Sequence, residues 1–454
     1  MAERLADIYF ELVDDRAAVG LRAYDGSAVE REREVATVDV RRPRALRYLA
    51  TAPGELGLAR AYVMGDIEID GDVHAALREL EAHRRPGLNA LDLLGHVKRW
   101  MLRPAPTPQE ELPAPWRRGL RRHSRKRDED AIAHHYDLSN RFYELMLGPS
   151  MVYSCAVFPA PEASLEEAQR EKLDLICLKL DLKAGERLLD VGAGWGGLVR
   201  HAAAHYGVSA LGVTLSREQA QFATRAIADE GLAGQAEVRQ LDYRDLDSSK
   251  FDAVASVGAM EHFGKASLRS HFAAMAARLR PAGRMLNHAI SRPTGRQGVR
   301  AGAFVDRYVF PDGELESIGT VVSAMHDGGL EVRHEENLRE HYAMTLREWS
   351  ANLEHAWEEA VAEVGERRAR VWRLYLALSR IGFETNRIQI HQVLGVHTAA
   401  SGDSGMPLRP SWEAARPARK RRFRKAAERD QDDAERSAEE AAPKARPKAP
   451  AKRA

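Results

Sequence analysis

At 454 residues the chain exceeds what one small core holds, and its length favours two or three domains. Apolar residues at 44% and charged ones at 30% exclude a fibrous or wholly disordered polymer, while 68 Lys plus Arg against 67 Asp plus Glu exclude a polyanion binder driven by bulk charge. The two cysteines, Cys155 and Cys177, are too few for a disulfide framework or a cysteine-based zinc site.

In chain order, the opening MAERLADIYFELVDD lacks the unbroken apolar stretch of a signal peptide. No run of about 18 apolar residues follows, so a cytoplasmic location is expected. Residues 1–95 mix short alternating runs (SAVEREREVATVDV) with helix-like ones (GELGLARAYVM), which predicts a small α+β domain. Residues 96–130 carry a cluster of prolines and then seven Lys or Arg between 116 and 127, which predicts a linker with a basic end.

The segment 131–400 holds the main domain. SLEEAQREKLDLICLKLDL places Leu173, Ile176, Cys177 and Leu180 on one helical face. The short apolar runs RLLDV, ALGVTL, AEVRQLD, DAVASVG and RMLNHAI are of strand length and are separated by helix-length spacers. That alternation predicts βαβ units, hence an α/β fold with a mostly parallel sheet. Beyond residue 300 a helical region is expected up to about 381, then a late strand in IQIHQVLGVH. Residues 413–454 are charged and rich in Ala and Pro. Such a tail buries too little apolar area to offset its ordering entropy.

RLLDVGAGWGGL supplies a strand, glycines at 192, 194 and 196, and a helix start. Glycine permits positive φ and close approach of backbone N–H groups to a ligand. The Asp190 carboxylate at the strand end suits the amino group of an amino-acid moiety better than a pyrophosphate. The turn therefore points to S-adenosylmethionine. After the next strand, where an acidic residue commonly binds ribose, stand Thr214 and Gln219; an amide can also engage a vicinal diol. His134 and His135 invite a metal reading, but adjacent residues point apart and no carboxylate cluster accompanies them, so no metal is expected.

HHYDLSNRFYELML, MVYSCAVF, LLDVGAGWGGL, GVTLSREQ, VGAMEHFG, NHAI and FVDRYVFPDGEL occur in that order between about 130 and 397. Together they resemble the cyclopropane-fatty-acyl-phospholipid synthase family and its mycolic-acid relatives. The resemblance implies methyl transfer from S-adenosylmethionine to the double bond of an unsaturated acyl chain of a phospholipid. It also implies a Rossmann-like class I methyltransferase domain with a doubly wound, mostly parallel sheet and a helical lid, a small α+β lipid-binding N-terminal domain, and a bicarbonate ion held by main-chain groups at Cys155 and Ile290 and by the side chains of Glu261, His288 and Tyr342. Tyr153, Ser154, Asp190, Gly192, Gly194, Thr214 and Gln219 fall at cofactor-contacting positions, with Asp242 and Tyr243 flanking adenine. Tyr136, Tyr153, Phe263, Tyr308 and Tyr342 are candidates to stabilise a developing cation.

The expected product is either a cyclopropane or a methylene-branched (10-methylene) chain, and the latter is compatible with a downstream reductase as partner. Basic runs stand at 116–127 and 416–425; the first, with Trp100 and Trp116 nearby, suggests peripheral contact with an anionic membrane at its cytoplasmic face. Two rival readings are an RNA methyltransferase, suggested by those basic runs, and a non-catalytic lipid carrier. The first leaves Glu261, His288 and Tyr342 without a role, and no nucleic acid partner is expected. A homodimer is compatible with the sequence.

Overall fold

The computed structural model describes residues 4–85, 105–112, 138–294 and 302–412. Trp100, Trp116, His134, His135, Tyr136, both basic runs and the tail from 413 lie outside the described residues. Described residues up to Gly405 belong to one compact unit.

Two sheets organise that unit. The first contains β1 (Val19–Ala23), β2 (Ala28–Val29), β3 (Ala36–Val40) and β4 (Ile67–Gly71) in the order β2-β1-β3-β4. β1 and β3 are parallel and the outer pairings antiparallel. Helices α1 (Leu5–Leu12), α2 (Arg44–Thr51), α3 (Glu55–Val63) and α4 (Val73–Ala82) belong to the same region. Its core gathers Leu5, Ile8, Tyr9, Leu21, Val40, Leu46, Tyr48 and Leu49.

The second sheet is seven-stranded: β5 (Arg187–Val191), β6 (Ser209–Thr214), β7 (Ala236–Gln240), β8 (Phe251–Val257), β9 (Leu279–Ser291), β10 (Glu331–Asn337) and β11 (Gln389–Val396), ordered β10-β11-β9-β8-β5-β6-β7. β9, β8, β5, β6 and β7 run parallel, and β11 and β10 add antiparallel pairings at one end. β5 is buried almost throughout and β8 nearly so, which is why both read as mostly apolar runs without alternation. The order reverses at β5, with β8 on one side and β6 on the other, so this strand's carboxyl end is the switch point where such sheets bind ligands.

Helices follow from the spacers. α5 (Asn140–Leu147) precedes α6 (Leu165–Lys179), whose start is fixed by a reciprocal pair: the Ser164 hydroxyl accepts from the Glu167 N–H while the Glu167 carboxylate accepts from the Ser164 N–H. α7 (Gly197–Tyr206) follows the glycine turn and α8 (Arg217–Asp229) is capped by Ser216. α9 (Leu268–Ala276) and α11 (Ile318–Asp327) set Phe272, Met275, Val321 and Met325 against Val254, Met285 and Val393 of the sheet. Between β9 and β10 the chain also forms α10 (Ala303–Tyr308), and α12 (Arg339–His355), α13 (Trp357–Val364) and α14 (Glu366–Glu384) precede β11.

α14 joins the two sheets. Arg370, almost fully buried, donates to the Tyr62 carbonyl at 3.1 Å and pairs with Glu68 and Glu366, and His74 meets Glu384 at 2.9 Å. The segment 105–112 adds a second tie. Glu111, with a fully buried carboxylate, accepts from Arg60 at 2.6 and 2.7 Å, pairs with Arg307 and accepts from the Tyr308 hydroxyl at 3.1 Å.

The expected strands all form, but the region expected to be helical from 300 to 381 also contains β10. EVRHEEN carries no apolar alternation, because it is an edge strand exposed along much of its length and paired on one side only. The charges that disguise it in the sequence are those that keep such an edge from pairing with other chains.

Candidate active site

The turn after β5 sets the site. Gly192 has φ +81° and Gly194 φ +54°, in the region that side chains disfavour. A Cβ at Gly192 would sit 2.7 Å from the Ala259 Cβ, so the glycine also permits close approach of two turns. At Gly194 a Cβ would meet nothing within 4 Å; the space beside it is cavity.

Three cavities adjoin there. One of about 340 Å³ is lined by Gly192, Gly194, Thr214, Gln219, Asp242 and Tyr243, with Phe263 and His271. A narrow one of about 70 Å³ shares Gly192, Gly194, Gln219 and Gly258 with it, and adds Tyr153, Ser154, Lys172 and Asp190. The third, of about 630 Å³, shares Tyr153, Ser154 and Gly258 with the second and contains Glu261, His288, Ile290 and Tyr342. Apolar groups from Val305, Phe310, Leu315, Leu378, Ile388 and Ile390 line its remainder.

In the first cavity Thr214 donates to Gln219 Oε1 at 2.8 Å, which turns the amide nitrogen, a donor, away from Thr214. Asp242 is held by the Arg244 guanidinium at 2.6–3.0 Å, and Tyr243 packs against Phe263 and the edge of His271 with centroids 5.2 and 4.8 Å apart. His271 is buried, neither ring nitrogen has a partner, and burial lowers its pKa to about 3. This polar group was not anticipated from the sequence.

The narrow cavity holds two more buried groups. The Lys172 ammonium donates to Ser154 Oγ at 2.8 Å. Burial lowers the Lys172 pKa and raises that of Asp190, with their mutual attraction opposing both shifts. Asp190 Oδ1 has no protein partner, so an acceptor is presented beside the glycine turn. These are the features an α-amino and carboxylate pair requires, and the adjoining cavity offers aromatic faces for a base, so the residues fit S-adenosylmethionine.

Glu261 lies in a short 3₁₀ turn, Met260–His262, just past β8. Its Oε1 accepts from the Ile290 N–H at 2.7 Å, while Oε2 is buried without a partner. Burial raises its pKa to about 7, and the Ile290 N–H opposes that rise. His288 and Ile290, two apart on β9, share one sheet face. His288 Nδ1 meets Gln392 Nε2 at 3.0 Å and its buried Nε2 has no partner. Burial first, then the charges of Lys172 and Lys179, hold the imidazole neutral. Tyr342, from α12, packs on Phe383 with centroids 4.5 Å apart. Glu261 Oε2 and His288 Nε2, two buried polar atoms without protein partners in one cavity, fit a small oxyanion.

Some expected residues stand elsewhere. Cys155 is buried but lines none of the three cavities; its thiol donates to the carbonyls of Ala156 (3.2 Å) and Leu338 (3.8 Å), and burial raises its pKa. Only its main chain, next to Ser154, remains for the expected role. Of the aromatic candidates, Tyr153 and Tyr342 line the acyl-sized cavity. Phe263 belongs to the first cavity and Tyr308 is turned to Glu111; Phe310 and Tyr375 stand in their place. Among the described residues no group of three or more His, Cys, Asp or Glu gathers as a metal site.

A mostly parallel sheet with a glycine turn at its switch point, opening on a nucleotide-sized cavity, defines a class I methyltransferase fold. Residues 123–393 match the family described as mycolic acid cyclopropane synthetase, and the chain belongs to that family. It is thereby an S-adenosylmethionine-dependent enzyme of the cyclopropane-synthase type. A probable fatty acid methyltransferase of Mycobacterium tuberculosis is 50% identical over 86% of this chain and 94% of its own length. The cyclopropane-fatty-acyl-phospholipid synthase of Escherichia coli is 36% identical over 60% of this chain and 69% of its own. Among solved structures, the M. tuberculosis cyclopropane synthase MmaA2 matches with a TM-score of 0.56 and 32% identity, covering 60% of this chain and 99% of that one. The mycolic acid cyclopropane synthase CmaA1, complexed with SAH and CTAB, matches with a TM-score of 0.55 and 32% identity over 59% and 97%.

Proposed function

We propose that the chain methylates the carbon–carbon double bond of an unsaturated acyl chain carried by a phospholipid, using S-adenosylmethionine, and that Glu261, His288 and Tyr342 hold a bicarbonate ion beside the reacting carbon. The observation that carries this reading is the junction of an apolar cavity with the narrow cofactor cavity at Tyr153, Ser154 and Gly258, with the unpartnered Glu261 Oε2 and His288 Nε2 in the former.

S-adenosylmethionine, when bound, supplies an electrophilic methyl on sulfur. An alkene is a weak carbon nucleophile, so the pocket must orient it and exclude water. Val305, Phe310, Leu315 and Ile388 do both for an acyl chain. Attack leaves a cation on the chain, which the faces of Tyr153, Tyr342 and Tyr375 stabilise by about 0.5–2 kcal/mol each. A proton must then leave the new methyl group. Bicarbonate, when bound, would supply a base there, with Glu261 in its protonated form and the His288 ring donating to the anion. Main-chain groups at Cys155 and Ile290 would complete the cradle, the Ile290 N–H being shared with Glu261.

Direct proton loss with ring closure gives a cyclopropane; a hydride shift first, then loss of a methyl proton, gives a methylene branch. Proton NMR of lipids from cells expressing the chain distinguishes high-field cyclopropane signals from vinylidene signals. Unchanged lipids would overturn the reading. A cavity lined largely by apolar groups favours an acyl substrate over RNA, which would need a base-stacking platform at the methyl site.

Among the described residues no helix is long and apolar enough to cross a membrane. The reading has the basic run at 116–127 bring the protein to anionic lipid, each Lys or Arg near the surface contributing about 1 kcal/mol. Sedimentation with anionic vesicles should fall with salt and exceed that with neutral vesicles; equal binding to both would contradict it.

A further inference from the structure

A buried polar chain runs behind His288. At one end Glu336 of β10 pairs with the Lys179 ammonium at the last turn of α6. Lys179 Nζ also donates to Gln392 Oε1 at 2.8 Å. The other end of the same amide, Gln392 Nε2, meets His288 Nδ1 at 3.0 Å. Gln392 and His288 are directly opposite each other in the antiparallel β11–β9 pairing. Both residues and the Lys179 side chain are completely buried, so no water competes for these contacts.

The donor and acceptor inventory then admits one arrangement. An ammonium has three donors and no acceptor, so it must face the amide oxygen. The amide NH₂ is thereby aimed at the imidazole, and a donor facing Nδ1 requires Nδ1 to accept. A neutral ring accepting at Nδ1 carries its proton on Nε2, the buried nitrogen without a protein partner, and His288 is a lining residue of the acyl cavity.

We infer that Gln392, oriented by Lys179, is a positioning residue that fixes His288 as the Nε2–H tautomer, so that the ring presents a donor to the acyl cavity and cannot act there as a base. The purpose given to that donor rests on the proposed function; the tautomer does not. Glu336 completes the device by pairing with Lys179 at the far end, where it opposes the lowering of the Lys179 pKa by burial.

The test uses the full chain labelled with ¹³C,¹⁵N-histidine, with long-range ¹H–¹⁵N correlations near neutral pH. The His288 signals are those lost in His288→Gln. The wild type should show the neutral Nε2–H pattern, and an Nδ1–H or doubly protonated pattern would overturn the inference without any variant. Gln392→Glu offers Nδ1 an acceptor and should move the proton there or charge the ring. It should also lower turnover about 100-fold or more while cofactor Kd stays within about twofold, as expected when an imidazole is held in the wrong tautomer. Lys179→Arg should retain the pattern and Lys179→Met should lose it. A variant whose tautomer changes while turnover persists would overturn the positioning role. A correct tautomer in a chain that methylates no acyl substrate would instead overturn the proposed function and leave this inference standing.

Discussion

Glu261→Gln isolates the electrostatic strain that the site stores. The carboxyl is wholly buried and its pKa rises from 4.5 to about 7, because only one N–H compensates for the lost water. A raised pKa means that the folded state favours the protonated form. Stability is therefore fully present below about 4.5 and declines as pH rises through about 7. At 1.36 kcal/mol per unit, the decline is about 3 kcal/mol. Glutamine reproduces the neutral acid's shape and can still accept the Ile290 N–H, but does not ionise. The variant should match the wild type near pH 4.5 and exceed it by about 3 kcal/mol near pH 8. With about 2.1 cal/mol/K of unfolding entropy per residue over about 400 residues, that corresponds to roughly 4 °C in Tm. Thermal unfolding of both proteins without cofactor, from pH 4.5 to 8.5, provides the curve. A difference independent of pH would refute the argument, because it would show that Glu261 is not held in its acid form by burial.

Other substitutions probe separate parts of the site. Gly194→Val places a side chain in open cavity space at φ +54°, so it should cost about 1 kcal/mol of stability yet abolish S-adenosylmethionine binding by calorimetry; near-normal affinity would move the cofactor elsewhere. Lys172→Met removes a charged partner from Ser154 and Asp190 and should weaken cofactor binding tenfold or more, the value of a hydrogen bond to a charged group at about 1.5–3 kcal/mol; an unchanged Kd would make Lys172 a packing residue. Glu111→Ala leaves Arg60 and Arg307 without their buried partner and should cost about 3–5 kcal/mol. A urea midpoint equal to that of the wild type would contradict the tie between segment 105–112 and α10.

The parallel strands and the glycine turn are legible in the sequence because each signal is local. RLLDV and DAVASV are mostly apolar because both sheet faces are covered, and the turn needs glycine where φ is positive. Glu261 and His288 were legible only as parts of an ordered set of motifs. β10 is not legible in the sequence because an edge strand has no buried face to impose alternation. Lys172 and Lys179 were missed because the periodicity of α6 pointed to Leu173, Ile176 and Cys177, whereas the helix is buried around more of its circumference than one stripe. Tyr308 was misplaced because its partner Glu111 lies far away in sequence, and nothing near either residue announces the pairing.

The claim that a base removes a proton from the transferred methyl is tested most directly with S-adenosylmethionine carrying a trideuterated methyl group and vesicles of a mono-unsaturated anionic phospholipid. Mass spectrometry of the extracted acyl chains should show the added carbon with one deuteron lost. Acyl chains without label, or labelled chains retaining all three deuterons, would contradict the account.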